Sequence, residues 1–365
     1  MLRYRPSDEF PDIEGPESTF GPKEGLALNN GTAFMAAHLG LAVHKFTNLL
    51  WHADLALALN TEAMCGVLDA HVSSVQRLRP HRGVNESAER VTRFLRDSKL
   101  TVNEGHSTEF VKKQREANGI FDNTQDDYCL RSGPVVHGTA WDAVHNVHQL
   151  VETEINSVTD NPLVIDGNVL SGSHFHGMPL AFAADQLRTA MAIVGGVSER
   201  RVAKLFNDKR NYGLPRHLVH DDPNGVKSGW MIAQYCSASL VNELKTRSMP
   251  YCVGNVTTGN ESEDFVSMGA NACRSAYECV SVLRGIISIE LASAVRALLL
   301  RTGCIIDPTN LGDWEFQLSS TAQKVIGKFV ERKIDVWCAE DRPLDAVFDK
   351  TSILIESQNL SSLSA

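Results

Sequence analysis

The chain has 365 residues, 43% of them hydrophobic and 22% charged, which is ordinary for a soluble globular protein with one large domain or two. Its formal net charge of −9 offers no basic surface, so we expect neither a nucleic-acid partner nor an anionic membrane partner. The sequence has no apolar run long enough to span a membrane, and MLRYRPSDEF lacks the apolar core of a signal peptide. Eight cysteines without a CxxC pair fit reduced thiols, so we expect a cytoplasmic protein.

The predicted elements are helices with one hairpin, and the fold class is therefore all-α. Residues 1–22 are rich in proline, glycine and acidic residues and predict an irregular arm. Residues 31–64 carry apolar side chains at helical spacing with a thin polar face, which predicts a helix buried on most sides. Leu163–Ile165 and Asn168–Leu170 flank Asp166-Gly167, which predicts a hairpin with a type I′ turn. The other predicted helices lie at 139–159, 178–207, 227–249, 263–300 and 320–336.

The helix predicted at 263–300 would be about 57 Å long at 1.5 Å per residue. A helix of that length needs packing partners along its whole course, so we expect an elongated bundle that other subunits complete, as a homotetramer. Along the sequence we predict an irregular arm at 1–22, a helical body at 23–310, and a C-terminal helix with a polar tail at 311–365.

Four polar, glycine-containing segments interrupt the helical pattern. Helix N-termini favour anions, so several such segments converging would form a site for an anionic small molecule. Ordinary helix capping accounts for each segment taken singly. The segments are GPKEGLALNNGT (21–32), TQDDYCLRSGPVVHG (124–138), SVTDNPLVIDGNVLSGSHFHGMPLAFAADQ (157–186) and GNVTTGNESEDFVSMG (254–269).

Parts of these segments, in the same order, resemble motifs of the histidine, phenylalanine and tyrosine ammonia-lyase family. The parts are KEGLALNNGT, QDDYCLR, NSVTDNPL with SGSHFHGMP, and EDFVSMG, and the resemblance runs from about residue 21 to about residue 300. It implies an all-α, long-helix bundle of the ammonia-lyase and fumarase-like type. It also implies elimination of ammonia from an aromatic amino acid to give an α,β-unsaturated acid.

The family forms its electrophile, 4-methylideneimidazol-5-one, by cyclising its own Ala-Ser-Gly. That triad, together with a tyrosine that acts as a base, precedes the KEGLALNNGT-like segment in the family. Ala-Ser-Gly does not occur in this sequence. We therefore expect no bound cofactor, and no activity from this chain alone.

By resemblance, three residues have catalytic roles. Tyr128 would lie beside the electrophile and steer proton transfer, with Gln125 completing its hydrogen-bond shell. Glu263 would face the ring end of the substrate. For Tyr128, an ordinary core tyrosine is the competing interpretation.

Three further residues would bind the substrate. Arg131 would hold the carboxylate, for which a planar guanidinium offers two parallel hydrogen bonds. Asn30 would donate to the carboxylate or orient the electrophile, and Phe175 would pack on the substrate ring. The competing interpretations are a capping arginine, a turn asparagine and a core aromatic residue.

Two other patterns predict less. His174 and His176 suggest a metal ligand pair, but no third ligand lies near them in the sequence, so we expect no metal. Asp126 and Asp127 look like paired catalytic carboxylates, yet they fit charges at a helix end equally well.

Histidine is the favoured substrate because the acid at Glu263 suits an imidazole. A phenylalanine or tyrosine ammonia-lyase, or an aminomutase, is the alternative. Asn29, Ser262 and Phe265 depart from the family pattern close to the expected site and leave the substrate open. Two further hypotheses are a non-catalytic subunit that oligomerises and a sequence that is an incomplete gene model.

Overall fold

The computed structural model describes residues 21, 23–102, 125–303, 317–357 and 360. Long helices dominate these residues, and their only sheet is a two-stranded antiparallel hairpin, so the predicted all-α fold is confirmed. The helices are α1 (Glu24–Ala27), α2 (Ala33–Ala63), α3 (Ser73–Gln76), α4 (Arg82–Phe94), α5 (Tyr128–Arg131), α6 (Gly133–Glu154), α7 (Met178–Leu205), α8 (Met231–Arg247), α9 (Gly269–Thr302), α10 (Ser320–Glu331) and α11 (Asp345–Glu356). None of the helices in this part of the chain is both long and apolar enough to cross a membrane.

The chain divides into two compact units. The first comprises Met1–Phe46, Ala143–Thr189 and Thr246–Val280, and the second comprises Thr47–Asp142, Ala190–Lys245 and Ser281–Ala365. The predicted arm, body and tail are continuous segments of the sequence, whereas each compact unit combines several segments. The division into arm, body and tail stays a prediction.

The second unit has a core built on two helices whose polar faces are nearly absent. Every side chain from 52 to 63 in α2 and from 286 to 299 in α9 is buried. The thin polar face predicted for 31–64 corresponds to burial over 52–63, whereas Phe34 and Leu41 nearer the start of the helix are exposed. Polar residues on these stretches, such as Asp54 and Glu290, need hydrogen-bond partners inside the unit.

Two buried arginines of α9 tie connecting segments of the second unit to its core. Arg296 donates to the carbonyl oxygens of Leu218 (2.8 Å), Val336 (2.7 Å) and Cys338 (3.0 Å). Arg301 donates to three other carbonyls, those of Ala63, Tyr212 and Asn211, at 2.8–3.0 Å. Each guanidinium thus supplies donors to three backbone carbonyls at once.

The predicted hairpin has the predicted register. β1 (Leu163–Ile165) pairs with β2 (Asn168–Leu170), so that Ile165 lies opposite Asn168. The two turn residues, Asp166 and Gly167, have φ of 51° and 78°, as a type I′ turn requires.

Several helix limits differ from the predictions. The longest helix begins at Gly269 rather than at 263, because residues 258 and 263 pair as a backbone bridge and Met268 has a φ of 52°. The helix predicted at 139–159 begins earlier, at Gly133, and ends at Glu154. Helix α4 was not predicted, and α11 lies in the segment predicted as a polar tail.

Candidate active site

Three of the four polar segments meet inside the first unit. The backbone nitrogen of Thr32 lies 3.4 Å from the hydroxyl of Thr159, and the Thr32 hydroxyl donates to Glu154 at 2.5 Å. Gly31 is packed so closely on Thr159 that a Cβ would lie 2.7 Å from the Thr159 carbonyl oxygen. Only glycine fits this approach, which explains the Asn-Gly-Thr sequence at the start of α2.

The segment 254–269 contacts the segment 157–186 through His176. Its Nε2 lies 3.0 Å from the carbonyl oxygen of Phe265, and the two rings stack with centroids 6.5 Å apart. His174 Nδ1 lies 3.1 Å from the carbonyl oxygen of Val158. Both histidines thus donate to loop carbonyls, which gives each a structural role. No group of three or more potential metal ligands lies among the described residues.

Asn30 lies beside a carboxylate of the protein itself. Its side chain hydrogen-bonds to Asp160, which also forms an ion pair with Lys23 and accepts from the Asn161 backbone nitrogen at 2.7 Å. The hydrogen bonds from Lys23 and Asn161 hold the pKa of Asp160 below its usual value. Asp160 therefore stays ionised and keeps Asn30 in a defined orientation.

Glu263 is an exposed carboxylate on an ordered loop. Its Oε2 accepts from the Thr258 hydroxyl at 2.7 Å, and the backbones of the two residues also pair. The Asn255 side chain donates to the carbonyl oxygen of Asp264 at 2.9 Å and accepts from the backbone nitrogen of Val266 at 2.7 Å. One carboxylate oxygen of Glu263 is thus fixed by Thr258, and the orientation of the group is set.

The second unit holds Gln125, Tyr128 and Arg131 in and beside the single turn α5. Tyr128 is 71% exposed, and the Arg131 guanidinium lies over its ring, 4.8 Å from the centroid. The buried Arg131 Nε has no hydrogen-bond partner among the described residues. The donor capacity of this guanidinium is therefore not fully used within the described residues, and a carboxylate is the acceptor that a guanidinium prefers.

Asp126 and Asp127 anchor this turn. The Asp126 carboxylate accepts from the backbone nitrogen of Val67 at 2.6 Å, and Asp127 pairs with Lys204 and with Arg210, the latter at 2.8 Å. Burial opposes ionisation of Asp127, but hydrogen bonds from Lys204 and Arg210 outweigh it and lower the pKa. These contacts favour the structural interpretation of the two acids.

Asn30, Phe175 and Glu263 belong to the first unit, whereas Gln125, Tyr128 and Arg131 belong to the second. Phe175 is half-buried, in the loop between the two histidines. The common site expected for the six residues stays a prediction. Sequence reasoning missed Lys23, Asp160 and Thr258, because their pairings join positions whose proximity a single sequence does not reveal.

Comparison with known proteins gives a family match over most of the chain. A model of the family described as aromatic amino acid lyase matches residues 4–323. The similarity therefore starts before residue 21 and ends after residue 300, so the predicted limits were too narrow. Residues 4–20, which lie in the predicted irregular arm, are part of the match.

Individual relatives agree with the family match. Histidine ammonia-lyase 2 of Fusobacterium nucleatum is 36% identical over 340 residues, covering 92% of this chain and 62% of that protein. The crystal structure of histidine ammonia-lyase from Trypanosoma cruzi matches with a TM-score of 0.79 and 31% identity, over 95% of this chain and 60% of that one. Tyrosine aminomutase from Streptomyces globisporus has a TM-score of 0.82 and 29% identity, over 93% and 63%. The chain thus spans about three-fifths of the length of these proteins.

Proposed function

Because the chain belongs to the aromatic amino acid lyase family, we propose that it forms the helical body of a histidine ammonia-lyase, which converts histidine to urocanate and ammonia. Glu263 carries the choice of histidine. An exposed carboxylate held by Thr258 can accept a hydrogen bond from an imidazole N–H, whereas a phenyl ring offers no such donor. The histidine ammonia-lyases among the relatives support the same choice.

In this proposal Arg131 binds the carboxylate that is common to substrate and product. The buried Nε without a partner and the guanidinium stacked on Tyr128 support the assignment, because a preformed planar donor pays little entropy on binding. The Tyr128 hydroxyl, on a largely exposed side chain, would hold or move a proton beside the substrate.

The electrophile 4-methylideneimidazol-5-one is a separate requirement. In the family it supplies the electron-withdrawing centre that makes the amino group able to leave. The 365 residues contain no Ala-Ser-Gly from which it could form, so the residues present do not fit the group's formation. We propose that the electrophile of a complete enzyme comes from outside these residues.

Two further proposals concern assembly and compartment. Homotetramer formation is supported by apolar side chains that remain exposed on α2, including Phe34 and Leu41. A cytoplasmic location is supported by the absence of disulfides among the described cysteines.

A calorimetric titration of the purified chain with urocanate tests the proposed function. We expect binding of urocanate, and Arg131→Ala should weaken it by roughly 10- to 150-fold, the effect of losing a charged hydrogen bond. Arg131→Lys should recover part of the affinity, since an ammonium cannot form the two parallel bonds. Arg79→Ala, which changes an exposed arginine, is the matched control. Equal affinity of wild type and Arg131→Ala would overturn the assignment.

The alternative is a tyrosine or phenylalanine lyase or aminomutase, favoured by the structural similarity to tyrosine aminomutase and by Phe265. Comparing urocanate with cinnamate and 4-hydroxycinnamate in the same titration separates the two. Tighter binding of cinnamate or 4-hydroxycinnamate than of urocanate would favour the alternative.

A further inference from the structure

The turn that carries Tyr128 and Arg131 is held by a residue far away in the sequence. Arg201, on α7, donates from Nη1 to the carbonyl oxygen of Cys129 at 3.2 Å, between the two proposed site residues. Arg201 is 0% exposed, whereas Lys204 and Arg210 bind Asp127, a side chain that is 40% exposed. Arg201 is therefore a buried donor whose hydrogen bond to Cys129 can hold the turn in place.

Glu290 determines where Arg201 lies. The Arg201 Nε pairs with Glu290 Oε1, and Nη2 donates to Oε2 at 3.0 Å, so the two side chains form a two-bond ion pair with both members fully buried. Glu290 also accepts from Asn60 at 2.9 Å and from the Ser198 hydroxyl. A buried charge pair with this many partners has one low-energy geometry, and that geometry leaves Nη1 directed at Cys129.

A second contact fixes the other edge of the guanidinium. The Arg201 Nη2 lies 3.4 Å from His137 Nε2, while His137 Nδ1 lies 2.8 Å from Asp54. A guanidinium can only donate, so the geometry assigns the His137 proton to Nδ1, where Asp54 accepts it. Glu290 and His137 together leave Arg201 little freedom to move.

We propose that Arg201, held by Glu290 and His137, is a positioning residue that sets the orientation of Tyr128 and Arg131. For ligand binding this inference rests on the proposed function, because Arg131 is the group that binds the carboxylate there. Arg201 acts through the Cys129 carbonyl, and no contact of its own with substrate is required. A role confined to fold stability would predict no specific effect on the turn.

The test measures hydrogen–deuterium exchange of the full 365-residue chain, in peptides covering 126–136, together with urocanate affinity and thermal stability. Arg201→Lys shortens the donor, so that one ammonium cannot reach both Glu290 and Cys129. The matched control is Arg296→Lys, which also changes a buried arginine of the second unit. It removes hydrogen bonds to other carbonyls, those of Leu218, Val336 and Cys338. Glu290→Gln is a second variant that keeps the size of the side chain and removes its charge.

We expect the amides of Leu130, Arg131 and Ser132 to exchange at least about tenfold faster in Arg201→Lys, with urocanate affinity lowered by a similar factor. Arg296→Lys should lower the melting temperature and leave both readouts unchanged. Glu290→Gln should also speed exchange at the turn and lower urocanate affinity. If Arg201→Lys does not fold, the result for Glu290→Gln decides whether the buried ion pair positions the turn.

Exchange at the turn that is unchanged in the folded variants, or raised equally in Arg296→Lys, would overturn the proposal. The proposed function fails separately if wild type does not bind urocanate. In that case, faster exchange in Arg201→Lys alone still supports the control of the turn by Arg201.

Discussion

Asp54 is the acceptor on which four buried or half-buried donors of the second unit depend. His137 and Ser87 donate to it at 2.8 and 2.6 Å, the Trp141 indole donates at 3.1 Å, and Arg90 forms an ion pair with it. Burial opposes ionisation, but the hydrogen bond from His137, the charge of Arg90 and the Ser87 hydrogen bond outweigh it and lower the pKa of Asp54.

Asp54→Ala is therefore expected to destabilise the protein by about 3–5 kcal/mol, because it leaves several buried donors without an acceptor. Urea unfolding followed by circular dichroism measures the change. Asp349→Ala, at an exposed aspartate of α11, is the control and should stay within about 0.5 kcal/mol of wild type. A loss below about 1 kcal/mol for Asp54→Ala would contradict the role assigned to this residue.

The residues of the candidate site could be named from the sequence because their motifs are local. Gln125, Tyr128 and Arg131 fall within seven positions, so one helical turn suffices to bring Tyr128 and Arg131 into contact. The partners that fix them could not be named. Arg201 and Glu290 are separated from the turn, and from each other, by long stretches of chain whose packing is decided by the fold as a whole.

At the scale of elements, the end of α2 is joined to the start of α10 by one carboxyl group. Glu62 accepts from the backbone nitrogen of Ser319 at 2.5 Å and from its hydroxyl at 2.8 Å. Burial raises the pKa of Glu62 to about 7, because desolvation outweighs the hydrogen bonds from Ser319 and Ser98. The folded protein therefore binds a proton here more tightly than the unfolded chain does.

This shift predicts a pH dependence of stability. A carboxyl whose folded pKa is raised contributes stability that is full below the unfolded value near 4.5 and is lost as pH rises through about 7. The contribution is on the order of 3 kcal/mol. Between pH 5 and 8 we expect the free energy of unfolding to fall more steeply in wild type than in Glu62→Gln, which keeps one acceptor without the charge.

Denaturant melts at several pH values measure both slopes, with Glu331→Gln as a control at an exposed carboxyl. Parallel slopes for wild type and Glu62→Gln would show that Glu62 does not titrate in this range.

The errors in the predicted elements have local causes. Helix α4 has Val84, Ala88 and Val91 buried at helical spacing, a pattern that the many charged residues of this segment obscure in the sequence. The start of α9 was placed too early because residues 263–268 continue its apolar and small-residue pattern. The bonds from Asn255 and the bridge to Thr258 keep that segment out of the helix, and these contacts were not predictable from periodicity.

At the scale of the whole molecule, the chain alone is expected to have no ammonia-lyase activity. The purified 365-residue chain should convert neither histidine, phenylalanine nor tyrosine, because its sequence contains no Ala-Ser-Gly to form the electrophile. Ultraviolet absorbance of the unsaturated acids measures turnover, and a full-length histidine ammonia-lyase serves as the positive control. Clear turnover by this chain would refute the proposal that the electrophile comes from outside it.

The chain is also expected to self-associate through the exposed apolar face of α2. Phe34 and Leu41 are 54% and 51% exposed and lie seven positions apart on one face of α2, so we expect copies of the chain to cover them. Light scattering at micromolar concentration should give a multiple of 40.1 kDa, with a tetramer expected. Leu41→Glu should shift the mass downward, whereas Leu78→Glu, at another exposed leucine, should not. A wild-type mass equal to the monomer would contradict the prediction.

The arginines that bind backbone carbonyls bear on how the length of this chain can change in evolution. Arg296 donates to carbonyls of the α7–α8 connector and of the segment after α10, and Arg301 donates to two further carbonyls of the α7–α8 connector. An inserted residue beside those carbonyls would leave a buried guanidinium without acceptors. The Asp166-Gly167 tip has no such tether and stands in the open, where added residues cost little. Homologous chains should therefore vary in length at the hairpin and have a constant length in the connectors whose carbonyls bind Arg296 and Arg301. In an alignment of such chains, insertions and deletions should fall where no buried guanidinium binds the backbone.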